Sequence, residues 1–185
     1  MATKKEMFAP SIVLVSICLV AALLLAVTYQ ITAPLIEAIN IKNANEARAE
    51  VLAAAGEEGF EEVECDYVEN VSEVYKAKNG SGYVITAGCK GFGGTITVMT
   101  AIDTEGKIVK IKVTDASNET PGLGSKTTES SYTDRYIGGD ATITNVPDTE
   151  GFYVANISGA TYSSKGVFNA VSSAMQQFAQ IGGAY

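Results

Sequence analysis

Histidine is absent from the chain, and cysteine occurs three times, as Cys18, Cys65 and Cys89, with no Cys-x-x-Cys pair. Haem ligation through His, zinc sites that use His and a Ser–His–Asp arrangement are thereby excluded, and three scattered thiols assign no metal ligand set. Cations are also few: 13 Lys and Arg stand against 21 Asp and Glu, for a formal net charge of −8. No basic stripe exists to neutralise phosphates, so nucleic acid is not a partner. Acidity alone points to no other partner class; it suits a solvated surface held away from an anionic membrane.

Between Glu6 and Glu37 charge is missing altogether, and Ala9 to Ile31 is dominated by Ile, Val, Leu and Ala. About 20 apolar residues at roughly 1.5 Å each cross a hydrocarbon core, which predicts a single transmembrane anchor. The competing reading is a cleaved signal peptide, with Lys4 and Lys5 as its charged region, but such a peptide has an apolar core of roughly 7 to 15 residues and a small-x-small site. This run is longer, and Tyr29-Gln30-Ile31-Thr32 offers no such site. Lys4 and Lys5 precede the span and Glu37 is the first charge after it, so the positive-inside rule puts the N-terminus in the cytoplasm and the rest outside the cell membrane. On that side Cys65 and Cys89 are open to two readings, a disulfide or ordinary buried thiols.

The chain length of 185 residues allows one domain of ordinary size plus this appendage. The expected division is 1–34 for tip and anchor, 35–59 for a helical stalk and 60–185 for a soluble α+β domain. Leu35 to Ala55 has apolar residues near helical spacing and ends at Gly56, with a break expected near Asn40, Asn43 and Asn45. Strands are predicted over Glu61 to Val68, Val71 to Lys78, Tyr83 to Ala87, Thr95 to Asp103, Lys107 to Thr114, Ala141 to Thr144 and Phe152 to Ile157. Val109, Ile111 and Val113 alternate with Lys110 and Lys112, one buried face and one wet. Ser163 to Gln180 is the last helix, with Val167, Val171, Ala174, Met175 and Phe178 on one face.

Two stretches do not read as scaffold. Ser158-Gly159-Ala160-Thr161-Tyr162-Ser163-Ser164 joins the last strand to the last helix, and a hydroxyl just upstream of a helix N-terminus is where phosphate is easiest to hold. Ser163 or Ser164 is expected to cap that helix. Asp115 to Gly139 is long, polar and irregular, a pattern typical of functional or disordered loops. Within it, Glu119-Thr120-Pro121-Gly122-Leu123-Gly124-Ser125-Lys126 carries two glycines whose N–H groups can approach a ligand closely. It is no Walker loop, since Ser125 separates Gly124 from Lys126. Its other reading is a surface loop with a type II turn at Pro121-Gly122.

The first stretch resembles the S/T-G-A-T-x-S/T signature of the FMN-binding domain family, the second resembles its E-T-P-G-L-G-x-K segment, and Gly91-Phe92-Gly93-Gly94 before Thr95 to Asp103 resembles its G-[YF]-G-G strand entry. All three stand in the family's order. The resemblance implies FMN joined covalently to Thr161 through a phosphoester, with Ser158, Gly159, Ala160, Ser163, Ser164, Glu119, Thr120, Gly122, Leu123, Gly124 and Lys126 around the cofactor. It implies no catalytic residue and no substrate turnover of the chain's own. A flavin transferase performs the attachment in the family, which agrees with the lack of an activating base here. Within the family the pattern is similar to the G subunits of Rnf complexes, ion-translocating ferredoxin:NAD oxidoreductases that move Na+ or H+ and contain further membrane, iron–sulfur and flavin subunits. The alternatives are a C-subunit-like component of a sodium-pumping NADH:quinone reductase and an anchored binding domain without cofactor. One position departs from the family: the transferase pattern usually begins with Asp three residues before the S/T, and here that residue is Ala155, followed by Asn156.

Overall fold

The structure, a computed structural model, describes residues 4–182, with side chains from residue 13 onward. The side chains of Lys4 and Lys5, on which the orientation expectation rests, lie outside the described ones. Two compact units are present, Met1–Ala44 and Asn45–Tyr185. Helix α1, Lys4–Val51, runs without interruption through the asparagines where a break was expected. Asparagine lowers helix propensity by only tenths of a kcal/mol per residue, about 0.7 at most, which a long helix absorbs. Asn45 also gains a bond, accepting from Arg48 Nη1 at 2.8 Å.

In the first unit, the large apolar side chains from Val13 to Ile41 are exposed all round the helix, which is long and apolar enough to cross a membrane. A helix that is apolar on every face is at rest in lipid rather than in water. Two of its hydroxyls are turned onto the backbone: Thr28 Oγ1 donates to the Leu24 carbonyl at 2.8 Å and Thr32 Oγ1 to the Thr28 carbonyl at 2.9 Å. That satisfies both threonine hydroxyls within the helix itself.

The second unit is built on a five-stranded antiparallel meander, β1 Phe60–Glu62, β2 Val71–Ala77, β3 Gly82–Lys90, β4 Thr95–Asp103 and β5 Ile108–Asp115, each strand paired with the next in sequence. Period-two alternation gives the sheet two faces. One presents Ile85, Ala87, Cys89, Ile96, Val98, Ile102 and Ile111 to Val167, Ala170, Val171, Ala174 and Phe178 of the last helix, forming the main core. The other face carries Lys110 and Lys112, but it is not simply wet. The end of α1 lies there: Glu50 pairs with both lysines, Arg48 stacks on the Tyr75 ring 3.5 Å from its centroid and bonds Glu73 at 2.8 Å, and Val51 and Leu52 are fully buried.

Three strand expectations fall short. After Glu62 only Val63 keeps a sheet bond, and the chain up to Val68 is instead tied to the last helix, where Gln177 accepts from the Val68 N–H at 2.6 Å and donates to the Asp66 carbonyl at 3.2 Å. The segments 141–144 and 152–157 form only a single parallel bridge, Thr144 with Tyr153. Their remaining groups are claimed elsewhere: Arg135 Nη1 donates to the Ala155 carbonyl at 3.0 Å, and the Ile157 N–H donates to Ser164 Oγ at 2.9 Å. A short helix, α2 Ser130–Thr133, precedes these segments, and α3, Thr161–Gln180, ends the described fold. Cys65 and Cys89 are free thiols, each with its pKa raised by burial.

Candidate functional site

Three loops converge at the N-terminus of α3. The first is the β3–β4 connection, where the Gly91 N–H donates to the Gly94 carbonyl at 2.7 Å and closes a tight turn that pushes Phe92 outward, 69% exposed. The second follows β5. Its Thr120 carbonyl accepts from Leu123 N–H at 3.2 Å and Ser125 N–H at 3.1 Å, and Gly122 sits at φ 74°, as a type II turn requires. The third is the turn Ile157 to Ala160, closed by a 3.0 Å bond from the Ala160 N–H to the Ile157 carbonyl, with Gly159 at φ 80°.

Helix α3 begins at Thr161, two residues earlier than its apolar periodicity suggests, because Ala160 is its N-cap. No side chain caps it. The expected capping serines are engaged otherwise: Ser163 Oγ donates to Glu119 Oε2, and Ser164 Oγ accepts from the Ile157 N–H. The first bond of the helix ladder is made by the Ser164 N–H to the Ala160 carbonyl at 2.9 Å, so the N–H groups of Thr161, Tyr162 and Ser163 precede it. Beneath this turn the Tyr132 hydroxyl donates to the Ser164 carbonyl at 3.1 Å and lies 3.0 Å from the Tyr136 hydroxyl. Burial pushes both phenols up, Tyr136 the further, so they stay protonated and fixed in that role.

The loops enclose a pocket of about 130 Å³ lined by Phe92, Thr120, Leu123, Gly124, Gly159, Ala160, Thr161, Tyr162 and Ser163. Thr161 is exposed at its edge. Phe92 and Tyr162, 70% exposed, face one another across the mouth with ring centroids 6.4 Å apart. Neither aromatic was singled out as a site residue from the sequence, although Phe92 stands inside one motif and Tyr162 inside another. Of the residues expected around the cofactor, Thr120, Leu123, Gly124, Gly159, Ala160, Thr161 and Ser163 are brought together here. Ser158 is exposed on the adjoining turn, and Ser164 is buried behind it. Gly122 and Lys126 are exposed on the neighbouring loop and do not line the pocket, while Glu119 is 4% exposed and lies under it, accepting from the Gly93 N–H at 2.9 Å as well as from Ser163. Gly124 passes between: a Cβ there would lie 2.5 Å from Glu119 Oε2 and 2.7 Å from Ser163 Oγ.

The arrangement fits a flavin mononucleotide in three respects. Uncapped helix N–H groups beside an exposed hydroxyl suit a phosphoester. Exposed aromatic rings at the mouth suit a planar ring system. The pocket is well below the 300 to 1,000 Å³ or so that encloses a drug-sized ligand, so a mononucleotide there would be held at the surface and not enclosed. No group of three or more His, Cys, Asp or Glu positioned to hold a metal ion occurs among the described residues.

The sequence profile of the FMN-binding domain family matches residues 91–176, a span that contains all three loops. The G subunit of the Na(+)-translocating ferredoxin:NAD(+) oxidoreductase complex of Acetobacterium woodii is 33% identical, over 94% of this chain and 92% of its own length. The G subunit of the ion-translocating oxidoreductase complex of Methanosarcina acetivorans is 30% identical, over 95% of this chain and 96% of its own. Among solved structures, NqrC of Shewanella oneidensis is similar with a TM-score of 0.48 and 22% identity, covering 58% of each chain.

Proposed function

The chain belongs to the FMN-binding domain family, and from that premise we propose that it is the flavin-carrying, electron-transferring G subunit of an Rnf-type ferredoxin:NAD oxidoreductase coupled to ion translocation. FMN is held on Thr161 by a phosphoester. The observation that carries this reading is the exposed Thr161 in an uncapped first helical turn, at the edge of a pocket with Phe92 and Tyr162 at its mouth.

Each residue has a task. The N–H groups of the first turn of α3 and the positive end of its dipole offset the phosphoester charge, an effect of roughly 0.3 to 1 kcal/mol when exposed and up to about 2 when partly buried. That term alone does not retain a cofactor, and a covalent bond removes the limit. Gly124, Gly159 and Ala160 keep the backbone low around the phosphate, and Phe92, Leu123 and Tyr162 offer apolar contact to a ring. When bound, the flavin supplies reversible electron uptake and release.

Attachment proceeds at Thr161 Oγ, with a flavin dinucleotide as the activated co-reactant, because a phosphate monoester does not condense with an alcohol in water unaided. The oxygen forms a bond to the flavin-side phosphorus, the anhydride bond between the two phosphates breaks, and adenylate leaves. The hydroxyl proton goes to a base of the flavin transferase, since this chain has no histidine to take it. In the membrane, Lys4 and Lys5 keep the N-terminus cytoplasmic and place the second unit on the outer side; its partners in electron transfer are the other membrane, iron–sulfur and flavin subunits of the complex.

The test is Thr161→Ala, co-expressed with the transferase. The variant folds as the wild type does, since Thr161 is exposed, and yields no flavin fluorescence that survives denaturation. Flavin retained on the variant overturns the assignment to Thr161, and a wild type that never carries one overturns the reading in favour of an anchored binding domain without cofactor.

A further inference from the structure

Glu119 stands apart from the residues that line the pocket. It comes from the loop after β5, yet its carboxylate bonds two other segments at once: Oε1 accepts from the Gly93 N–H of the β3–β4 connection at 2.9 Å, and Oε2 accepts from the Ser163 hydroxyl in the first turn of α3. It is 4% exposed, and Gly124 closes over it with no room for a side chain. A carboxyl group at that depth is tolerated because both of its oxygens are hydrogen-bonded.

The consequence for the first turn is specific. Thr161, Ser163 and Ser164 all carry hydroxyls within four residues, and the structure treats them differently. Ser164 is fully buried and accepts from the Ile157 N–H; Ser163 is 2% exposed and donates a hydrogen bond to Glu119; Thr161 is exposed at the pocket edge. We propose that Glu119 is the positioning residue of flavin attachment: by clamping Ser163 to the Gly93 loop it holds the first turn of α3 in the orientation that presents Thr161 Oγ, and it withholds Ser163 as a competing nucleophile. This rests on the reading of Thr161 as the attachment site. Glu119 acts through Ser163 and touches no reacting atom.

The experiment uses the full-length chain in detergent with purified flavin transferase and flavin adenine dinucleotide. Covalent flavin per folded molecule is followed with time, and the attachment site is mapped by mass spectrometry of peptides. Glu119→Ala frees the turn, and misplacing a reacting group by about 1 Å costs on the order of 10²-fold, so kcat falls by about ten- to a hundredfold with KM for the dinucleotide unchanged. Part of the residual flavin appears on Ser163. Glu119→Gln restores most of the rate, because its amide oxygen accepts from Gly93 and its NH2 donates to Ser163 Oγ. Ser163→Ala, which removes the clamp from the other side, lowers kcat in the same sense. Wild-type kcat per folded molecule in Glu119→Ala overturns the proposal, as does a Glu119→Gln variant as slow as Glu119→Ala. If Glu119→Ala does not fold, wild-type kcat in Ser163→Ala overturns it instead. A wild type that takes no flavin at Thr161 sinks the reading beneath it, a result distinct from all of these.

Discussion

The two glycines of the loop after β5 have different physical reasons to be glycine, and a methyl group at each separates them. At Gly124 a Cβ meets Glu119 Oε2 at 2.5 Å and Ser163 Oγ at 2.7 Å, inside a buried junction that cannot open without breaking a bond. Gly124→Ala therefore loses about 1 to 3 kcal/mol by overpacking, and flavin attachment falls with it. At Gly122 nothing lies within 4 Å of a Cβ, and only its φ of 74° is unfavourable to alanine. Gly122→Ala costs about 1 to 2 kcal/mol of backbone strain and leaves attachment at wild-type level. Thermal denaturation and denaturation-resistant fluorescence, measured on both variants, check the pair. Had both glycines served the cofactor directly, the two would lose flavin alike.

Among the elements, α3 is held at both ends by side chains that serve backbone groups of distant segments. Near its C-terminal end Gln177 is fully buried and supplies bonds to the Val68 N–H and the Asp66 carbonyl that the shortened β1 does not. Gln177→Leu keeps the volume but orphans the half-buried Val68 N–H, while the Asp66 carbonyl keeps its bond from Gln180, and one such unsatisfied group costs about 1 kcal/mol. Urea unfolding of the two proteins gives that difference as a lower midpoint at unchanged slope. The start of β5 is tied to the segment after α2 by charge: Lys107 pairs with Asp140 at 2.8 Å, and Thr142 bonds the same carboxylate, which together hold Asp140 well below the usual carboxylate range. A carboxyl with a depressed folded-state pKa stabilises above its unfolded value, near 4 or so, and that contribution disappears as pH falls through the folded value. The melting temperature of wild type therefore exceeds that of Asp140→Asn at neutral pH by a small margin, and the margin shrinks to nothing in strong acid. Added salt narrows it at neutral pH, because the pair is partly exposed.

At the scale of the molecule, the boundary between anchor and domain lies inside a single helix. Residues up to Ala44 form one unit, and the last residues of α1 belong to the other through Arg48, Glu50 and Val51, with Leu52 following. A chain beginning at Asn45 is soluble without detergent, cooperatively folded and competent for flavin attachment. A chain beginning at Ala53 loses Val51 and Leu52, each worth about 1.5 to 3 kcal/mol of burial, and strips the Arg48 and Glu50 contacts from the sheet. Circular dichroism melts of the two truncations separate them; equal stability would contradict the assignment of residues 45–52 to the domain.

Much of this was written in the local order of residues. A long uncharged run gives an apolar helix whatever follows it, and strands β4 and β5 are legible because alternation over eight or nine residues has one solution on a half-buried sheet. The three small-residue motifs name their loops for the same reason: glycine and proline act on the backbone where they stand. Tertiary structure decided what those loops do to one another. Ser163 is a better helix cap than Ala160 by its own chemistry, yet Glu119, 44 residues away in sequence, takes its hydroxyl, and the helix starts earlier, with its first turn uncapped. The same holds at Val68 and Ile157, whose predicted ladder bonds went to Gln177 and Ser164, and on the lysine face of β5, which α1 covers. A side chain's propensity is local, whereas a hydrogen-bond partner is whichever group the folded chain brings within 3 Å or so.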